Sequence, residues 1–265
     1  MKSAWYARGV RCAIILLLLS AGVFAVNAQV RHTSLGAVVV PALANPGFEG
    51  EFTTRGAPEI VIAEGWTEWS NSGGQLHRPE YKPELADLGC GRVHTGYKAQ
   101  KTFTTYAAHD GGVWQMVDGL VEDEWYEFSC WAWNWSSQQD NPDISTNPGK
   151  GSTLVGANPW GLAWPNHYTT IWGKAALEQY DKWTKVKVIF QAWSPKAALL
   201  TRGLAEWPVR HNDYEWDSCE LVVAQFDPCP TPTPAPAPTA HPQVCPSLEE
   251  IATLIANRDP VIWPK

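Results

Sequence analysis

Positive charge is scarce in this chain. It carries 20 Lys and Arg against 27 Asp and Glu, and the basic residues nowhere gather into a run. The net charge is −7, and it falls to −10 if Lys2, Arg8 and Arg11 leave with an N-terminal leader. That balance does not suit phosphate neutralisation, so no nucleic acid and no anionic membrane is expected as a partner. Methionine is nearly absent, with two residues. No CxxC spacing offers a zinc site. There is no G-x-S-x-G elbow, no phosphate-binding loop and no H-E-x-x-H pair, so three common routes to catalysis lack their motif. His77, His94, His109, His167 and His211 are scattered and read as turn or surface residues. Internal repeats are missing, and after the N-terminus no apolar run approaches the ~20 residues of a membrane span.

The N-terminus reads as an export signal. Lys2, Arg8 and Arg11 precede an apolar stretch from Ala13 to Val26, and Val26-Asn27-Ala28 supplies small residues for cleavage after Ala28. A secreted, extracellular chain is therefore expected, with residues 1–28 as signal peptide and 29–40 as a short leader. The domain proper is expected over 41–226. Residues 227–243 form a Pro-rich linker, because alternating proline enforces extended backbone without a core. In 244–265, Ser247 and Glu250 form a capping box, and Leu248, Ile251, Leu254 and Ile255 give one apolar stripe of a short helix. Five cysteines follow Ala28, and an exported protein permits disulfides. Cys130 with Cys219, and Cys229 with Cys245, are candidate pairs, and at least one thiol is left over.

Between 41 and 226 the pattern is all-β: an antiparallel β-sandwich. Turn signals at Asn71-Ser-Gly-Gly74, His109-Asp-Gly-Gly112, Asn147-Pro-Gly149 and His211-Asn-Asp213 separate short alternating runs. Those runs are Val113–Val117, Trp125–Trp135, Trp183–Trp193 and Trp216–Val223; only Ala175–Tyr180 hints at a helical turn. Alternate strand residues face opposite sides. In Trp125–Trp135 one face carries Tyr126, Phe128, Cys130 and Ala132, which suit a core. The other carries Trp131, Trp133 and Trp135, which suit a platform. Along Trp183–Trp193, Gln191 and Trp193 face away from the core and are expected to flank that platform. The chain has 16 tryptophans, and a ring that is apolar with one donor suits the C–H face of a sugar. Trp160, Trp164 and Trp172 lie in a long insertion, 136–172, that could instead fold over the platform.

The order of segments resembles the jelly-roll carbohydrate-binding modules of families 4, 9 and 22, within the galactose-binding-like group. Leu43-Ala-Asn-Pro-Gly-Phe-Glu49 resembles the N-G-F-E start of the family. Val93-His-Thr-Gly-Tyr97, Gly112-Val-Trp-Gln-Met-Val117 and Trp125-Tyr-Glu-Phe-Ser-Cys-Trp131 resemble its next segments. Trp183-Thr-Lys-Val186 and Asn212-Asp-Tyr-Glu-Trp-Asp-Ser-Cys-Glu-Leu221 resemble the last two. The resemblance covers about 41–226. It implies a lectin-like module that binds a poly- or oligosaccharide and performs no chemistry. It also implies a structural Ca²⁺ held by Glu49 and Asp217, hard oxygen ligands that would join the two chain ends. Ser218 stands where the family has a second aspartate.

Two rival classes remain. One is a jelly-roll glycoside hydrolase, since Glu215-Trp-Asp-Ser-Cys-Glu220 fits an E-x-D-x-x-E pattern. Glu215 and Glu220 would then be the catalytic pair, and a bulge would be required to bring Glu220 onto the face of Glu215. The other is an extracellular adhesion module whose tryptophans, or whose C-terminal tail, bind a protein or cell-surface partner.

Overall fold

In the computed structural model, residues 40–87, 92–162 and 167–225 are described, and every regular element among them is a strand. The expected signal peptide, leader up to residue 39, Pro-rich linker, C-terminal helix and Cys229–Cys245 pair lie outside these residues. The strands are β1 (Phe52–Thr54), β2 (Val61–Ala63), β3 (Thr67–Asn71), β4 (Leu76–His77), β5 (Glu80–Leu85), β6 (Lys98–Thr104) and β7 (Ala108–Asp118). They continue with β8 (Trp125–Ser137), β9 (Gly151–Asn158), β10 (Ile171–Trp172), β11 (Ala176–Leu177), β12 (Thr184–Gln191), β13 (Lys196–Ala205) and β14 (His211–Val223).

Two sheets make the sandwich. One has five strands in the order β12-β8-β14-β6-β5. The other has seven: β10-β9-β13-β7-β3, with β11 added on β9 and β4 on β7. All pairings are antiparallel except the short β4–β7 contact, and β1 and β2 form a separate ribbon. The expected antiparallel jelly-roll sandwich is thus the observed architecture.

The core is where alternation places it. Tyr126, Phe128, Cys130 and Ala132 of β8 point inward with Val186, Val188 and Phe190 of β12 and Trp216 of β14. Val113, Val117, Val155, Ala157 and Leu199 meet them from the other sheet. The Val, Leu and Phe side chains among them each contribute roughly 1.5–3 kcal/mol when taken fully out of water. Cys130 and Cys219 form a disulfide between the neighbouring strands β8 and β14.

Three local readings need correction. Ala175–Tyr180 is not a helical turn, because Ala176 and Leu177 pair with β9. His211-Asn-Asp213 opens β14 rather than turning. His109-Asp-Gly-Gly112 likewise lies inside β7. Its glycines serve close approach: a Cβ on Gly112 would lie 2.2 Å from the carbonyl oxygen of Thr201 on β13.

Candidate functional site

Trp131, Trp133 and Trp135 do lie on the outer face of the five-stranded sheet. Each stands opposite a carboxylate of β14, namely Asp217, Glu215 and Asp213. The rings nevertheless do not form an open platform. The His94 ring stacks on Trp131 at 4.3 Å, and the Arg92 guanidinium lies 4.3 Å from the centre of Trp135. His211 stacks on Trp135 at 4.5 Å, and Trp183 meets Trp133 edge-on at 5.8 Å. Trp135 is only 5% exposed, and its indole N–H donates to the Ile144 carbonyl.

The cause of the cover is charge. Glu84, Asp213 and Glu215 put three carboxylates under this surface, and only Lys101 of the sheet opposes them. Arg92 supplies the second cation, 3.3 Å from Glu215 and 3.7 Å from Asp213. Lys101 contacts Asp213 most closely. Burial alone would lower the Lys101 pKa, but Asp213, Glu215 and Glu84 outweigh it and raise the pKa. Glu215 is fully buried, and burial lifts its pKa to about 7 against the pull of Lys101 and Arg92. Among the described residues its Oε2 has no hydrogen-bond partner, nor does the indole nitrogen of Trp133 opposite it.

Glu49 and Asp217 hold the covering loop. Asp217 Oδ2 accepts the backbone N–H groups of His94 (2.8 Å) and Thr95 (3.0 Å). Glu49 Oε1 accepts those of Tyr97 (2.9 Å) and Lys98 (3.1 Å). The Lys98 ammonium donates to the carbonyls of Glu49 and Gly50 at 3.1 and 3.0 Å. A Cβ at Gly96 would fall 2.2 Å from Glu49 Oε1, so only glycine allows this wrap. Burial raises the Asp217 pKa, and the backbone donors of Thr95, Ser218 and His94 oppose that rise. The two carboxylates are thus already engaged with backbone donors. Among the described residues no three His, Cys, Asp or Glu side chains are grouped to hold a metal ion.

The bulge required by the hydrolase reading is present. The β8–β14 register shifts between Asp217 and Glu220, with Ser218 at φ 48°, and Glu220 then pairs with Ser129 on the outer face. The carboxylates differ in surroundings, however. Glu215 has no exposure, while Glu220 is solvent-facing and paired with Lys185 at 3.3 Å. A retaining pair must reach one glycosidic bond from both sides, and the buried Glu215 does not reach the surface.

Gln191 and Trp193 do not flank the tryptophan face. Gln191 pairs with Trp125, at the other end of β8 from Trp135. Trp193 packs edge-on against Trp160 at 5.2 Å.

A second aromatic face was missed in the sequence. It is the outer face of the seven-stranded sheet. The registers place Trp172, Gly156, Leu200, Trp114 and Thr67 in one row across β10, β9, β13, β7 and β3. The Trp172 ring lies against Gly156, where a Cβ would come within 2.6 Å of it. From the opposite edge, Trp69 reaches inward and donates its indole N–H to the Thr201 carbonyl of β13 at 3.0 Å. The Trp69 and Trp172 rings end 5.8 Å apart, above the buried Leu200 and Ala198. Trp114, Met116 and Trp172 remain half-buried. Beside them Arg202 forms a two-pronged pair with Asp110, at 2.6 and 2.7 Å, and Asn71 donates to the same carboxylate at 2.6 Å. The guanidinium lies 5.1 Å from the Trp172 ring centre, and among the described residues its Nη1 has no hydrogen-bond partner. The available signal was Gly112-Val-Trp-Gln-Met-Val117, where Val113 and Val117 face inward and Trp114 and Met116 therefore outward.

No sequence family and no curated protein matches the chain. Solved structures do. The TmCBM61 structure in complex with β-1,4-galactotriose matches at TM-score 0.45 and 12% identity, over 70% of this chain and 100% of that one. The CBM22-1 xylan-binding domain from Paenibacillus barcinonensis Xyn10C matches at TM-score 0.37 and 15% identity, over 68% and 93%. The Clostridium thermocellum Xyn10B CBM22-1-GH10 structure complexed with xylohexaose matches at TM-score 0.39 and 10% identity, over 69% and 30%. Family 22 carbohydrate-binding modules are among the solved structures similar to this chain.

Proposed function

We propose that the protein is an exported, non-catalytic module that binds a poly- or oligosaccharide on the outer face of its seven-stranded sheet. One observation carries the reading. Half-buried Trp172 and Trp114, packed with the buried Trp69, offer ring surface beside an Arg202 that Asp110 holds in place, leaving one guanidinium nitrogen for an incoming hydroxyl. Sugars need both elements, an apolar plane for C–H groups and fixed polar groups for orientation. The local charge is balanced, which suits a neutral sugar.

A second reading keeps binding at Trp131. That ring borders a shallow depression of about 440 Å³ with Thr95, Lys185 and Ser218. Affinity electrophoresis of the full chain against a panel of polysaccharides separates the two. Retardation lost in Trp172→Ala and kept in Trp131→Ala supports the paved face. The reverse moves binding to Trp131. No retardation of a folded protein refutes both and favours the adhesion reading. A structural calcium at Glu49 and Asp217 is a separate proposal, which chelation tests.

A further inference from the structure

At the end of the sandwich distant from Trp135, three large rings stand in solvent. Trp125, Trp160 and Trp193 are 40%, 48% and 43% exposed, whereas most of the other described tryptophans are buried or half-buried. Trp160 and Trp193 meet at 60° and wall a shallow depression of about 350 Å³. Its other walls are Glu122 and Asp123. The geometry is fixed by the chain. Trp193 N–H donates to the Pro159 carbonyl, and Asp123 N–H donates to that of Ala192. Gln191 ties the two walls together, donating to the Asp123 carbonyl at 3.0 Å and accepting the Trp193 indole N–H at 3.4 Å. Asp123 adopts φ 66°, a left-handed conformation uncommon outside Gly, Asn and Asp, so the loop is built for this path.

The chemistry of the walls is one-sided. The indole rings carry negative quadrupole on their faces, and two carboxylates present negative charge. Among the described residues no Lys or Arg lines the depression. The neighbouring Lys196 ammonium is engaged by Asp118 at 2.9 Å. The Trp193 indole donor is turned to Gln191, so of the four lining side chains only the Trp160 indole remains to donate to a hydroxyl oxygen. A neutral sugar would find acceptors but few donors. A cation satisfies every wall at once.

We propose that this depression binds an organic ammonium group, in the corner formed by Trp160 and Trp193 and against Glu122 and Asp123. The site is separate from the paved face and does not depend on the saccharide reading. Two sources share this chemistry, a free quaternary ammonium compound and a sugar bearing an unacetylated amine.

Isothermal titration calorimetry on the full chain tests it, with choline, its neutral isostere 3,3-dimethylbutan-1-ol, the glucosamine dimer and the N-acetylglucosamine dimer as probes. The expected result is saturable binding of choline or the glucosamine dimer, about tenfold tighter than its neutral counterpart. That binding should weaken with added salt. Trp193→Ala and the double change Glu122→Gln with Asp123→Asn should each weaken it at least about fivefold, while Trp172→Ala leaves it unchanged. Choline preference identifies a quaternary ammonium source, and dimer preference an amino sugar. Equal binding of charged and neutral probes, no saturable binding of either cation, or binding that persists in both variants overturns the proposal.

Discussion

Acidification should leave the stability of this protein nearly flat from pH 6.5 to 4.5, and two single substitutions should tilt that plateau in opposite directions. His109 is fully buried on β7; burial lowers its pKa from 6.5 to about 3, although Asp110 pulls upward. Between those values the unfolded chain binds the extra proton, so the stability His109 contributes is present above pH 6.5 and is lost as pH falls. Glu215 behaves oppositely. Burial raises its pKa from 4.5 to about 7. Between those values the folded chain binds the extra proton, so this contribution is present below pH 4.5 and is lost as pH rises through 7. The shared window spans about two pH units, worth roughly 3 kcal/mol for each group at ~1.4 kcal/mol per unit. Opposite signs make the two nearly cancel. Guanidinium unfolding at pH 4.5, 5.5 and 6.5 reads this directly. Glu215→Gln should lose roughly 3 kcal/mol on going from pH 6.5 to 4.5, and His109→Asn should gain a similar amount. If both variants keep the wild-type pH profile, the two groups do not titrate as burial requires and the reasoning fails.

Trp172→Ala should weaken polysaccharide retention by roughly 2 kcal/mol, about 30-fold, with the melting temperature little changed. Gly156→Ala should imitate it, because the new Cβ lies 2.6 Å from the Trp172 ring and must lift it; retention equal to wild type would show that the ring need not lie flat. Asp217→Ala should lower the melting temperature by roughly 5–10 °C, since buried backbone donors lose a charged acceptor. EDTA should leave wild type unchanged if those hydrogen bonds do the holding, and a chelator-induced drop would favour calcium instead. Loss of the Cys130–Cys219 bond, which closes an 89-residue separation, should cost about 4–5 kcal/mol by loop entropy, read from guanidinium unfolding of the double alanine variant.

The sandwich was legible because its central strands are long and strictly alternating. Tyr126, Phe128, Cys130 and Ala132 read as one face and lie on one face, and the pairing of Cys130 with Cys219 follows from their inward positions. The cover on Trp131 and Trp135 was not legible. His94 reaches Trp131 because Asp217, 123 residues away, holds its backbone, and no local pattern encodes such a contact. Gln191 and Trp193 were assigned to the right side of their strand but the wrong end, since a period of two gives the face and not the register. The paved face was missed for another reason. Trp69, Trp172 and Arg202 come from separate strands, one of them two residues long, and only the cross-strand register aligns them.

The two aromatic faces differ in what lies between their rings, and that difference favours the seven-stranded sheet as the proposed binding face. On the five-stranded sheet the tryptophans alternate with Asp213, Glu215 and Asp217. Carboxylates held that close under indole rings are costly without cations, so the fold must bring Arg92 over the surface, and the loop that carries Arg92 also carries His94. Arg92 then lies over Trp135, and His94 stacks on Trp131. On the seven-stranded sheet the residues between the rings are Gly156, Leu200 and Ala198, and the one buried carboxylate, Asp110, already has Arg202 and Asn71. Nothing there requires a covering loop. A surface with its charges paired and its rings lying flat on glycine and aliphatic neighbours can stay open to solvent, and can exchange that solvent for a neutral sugar without breaking an ion pair.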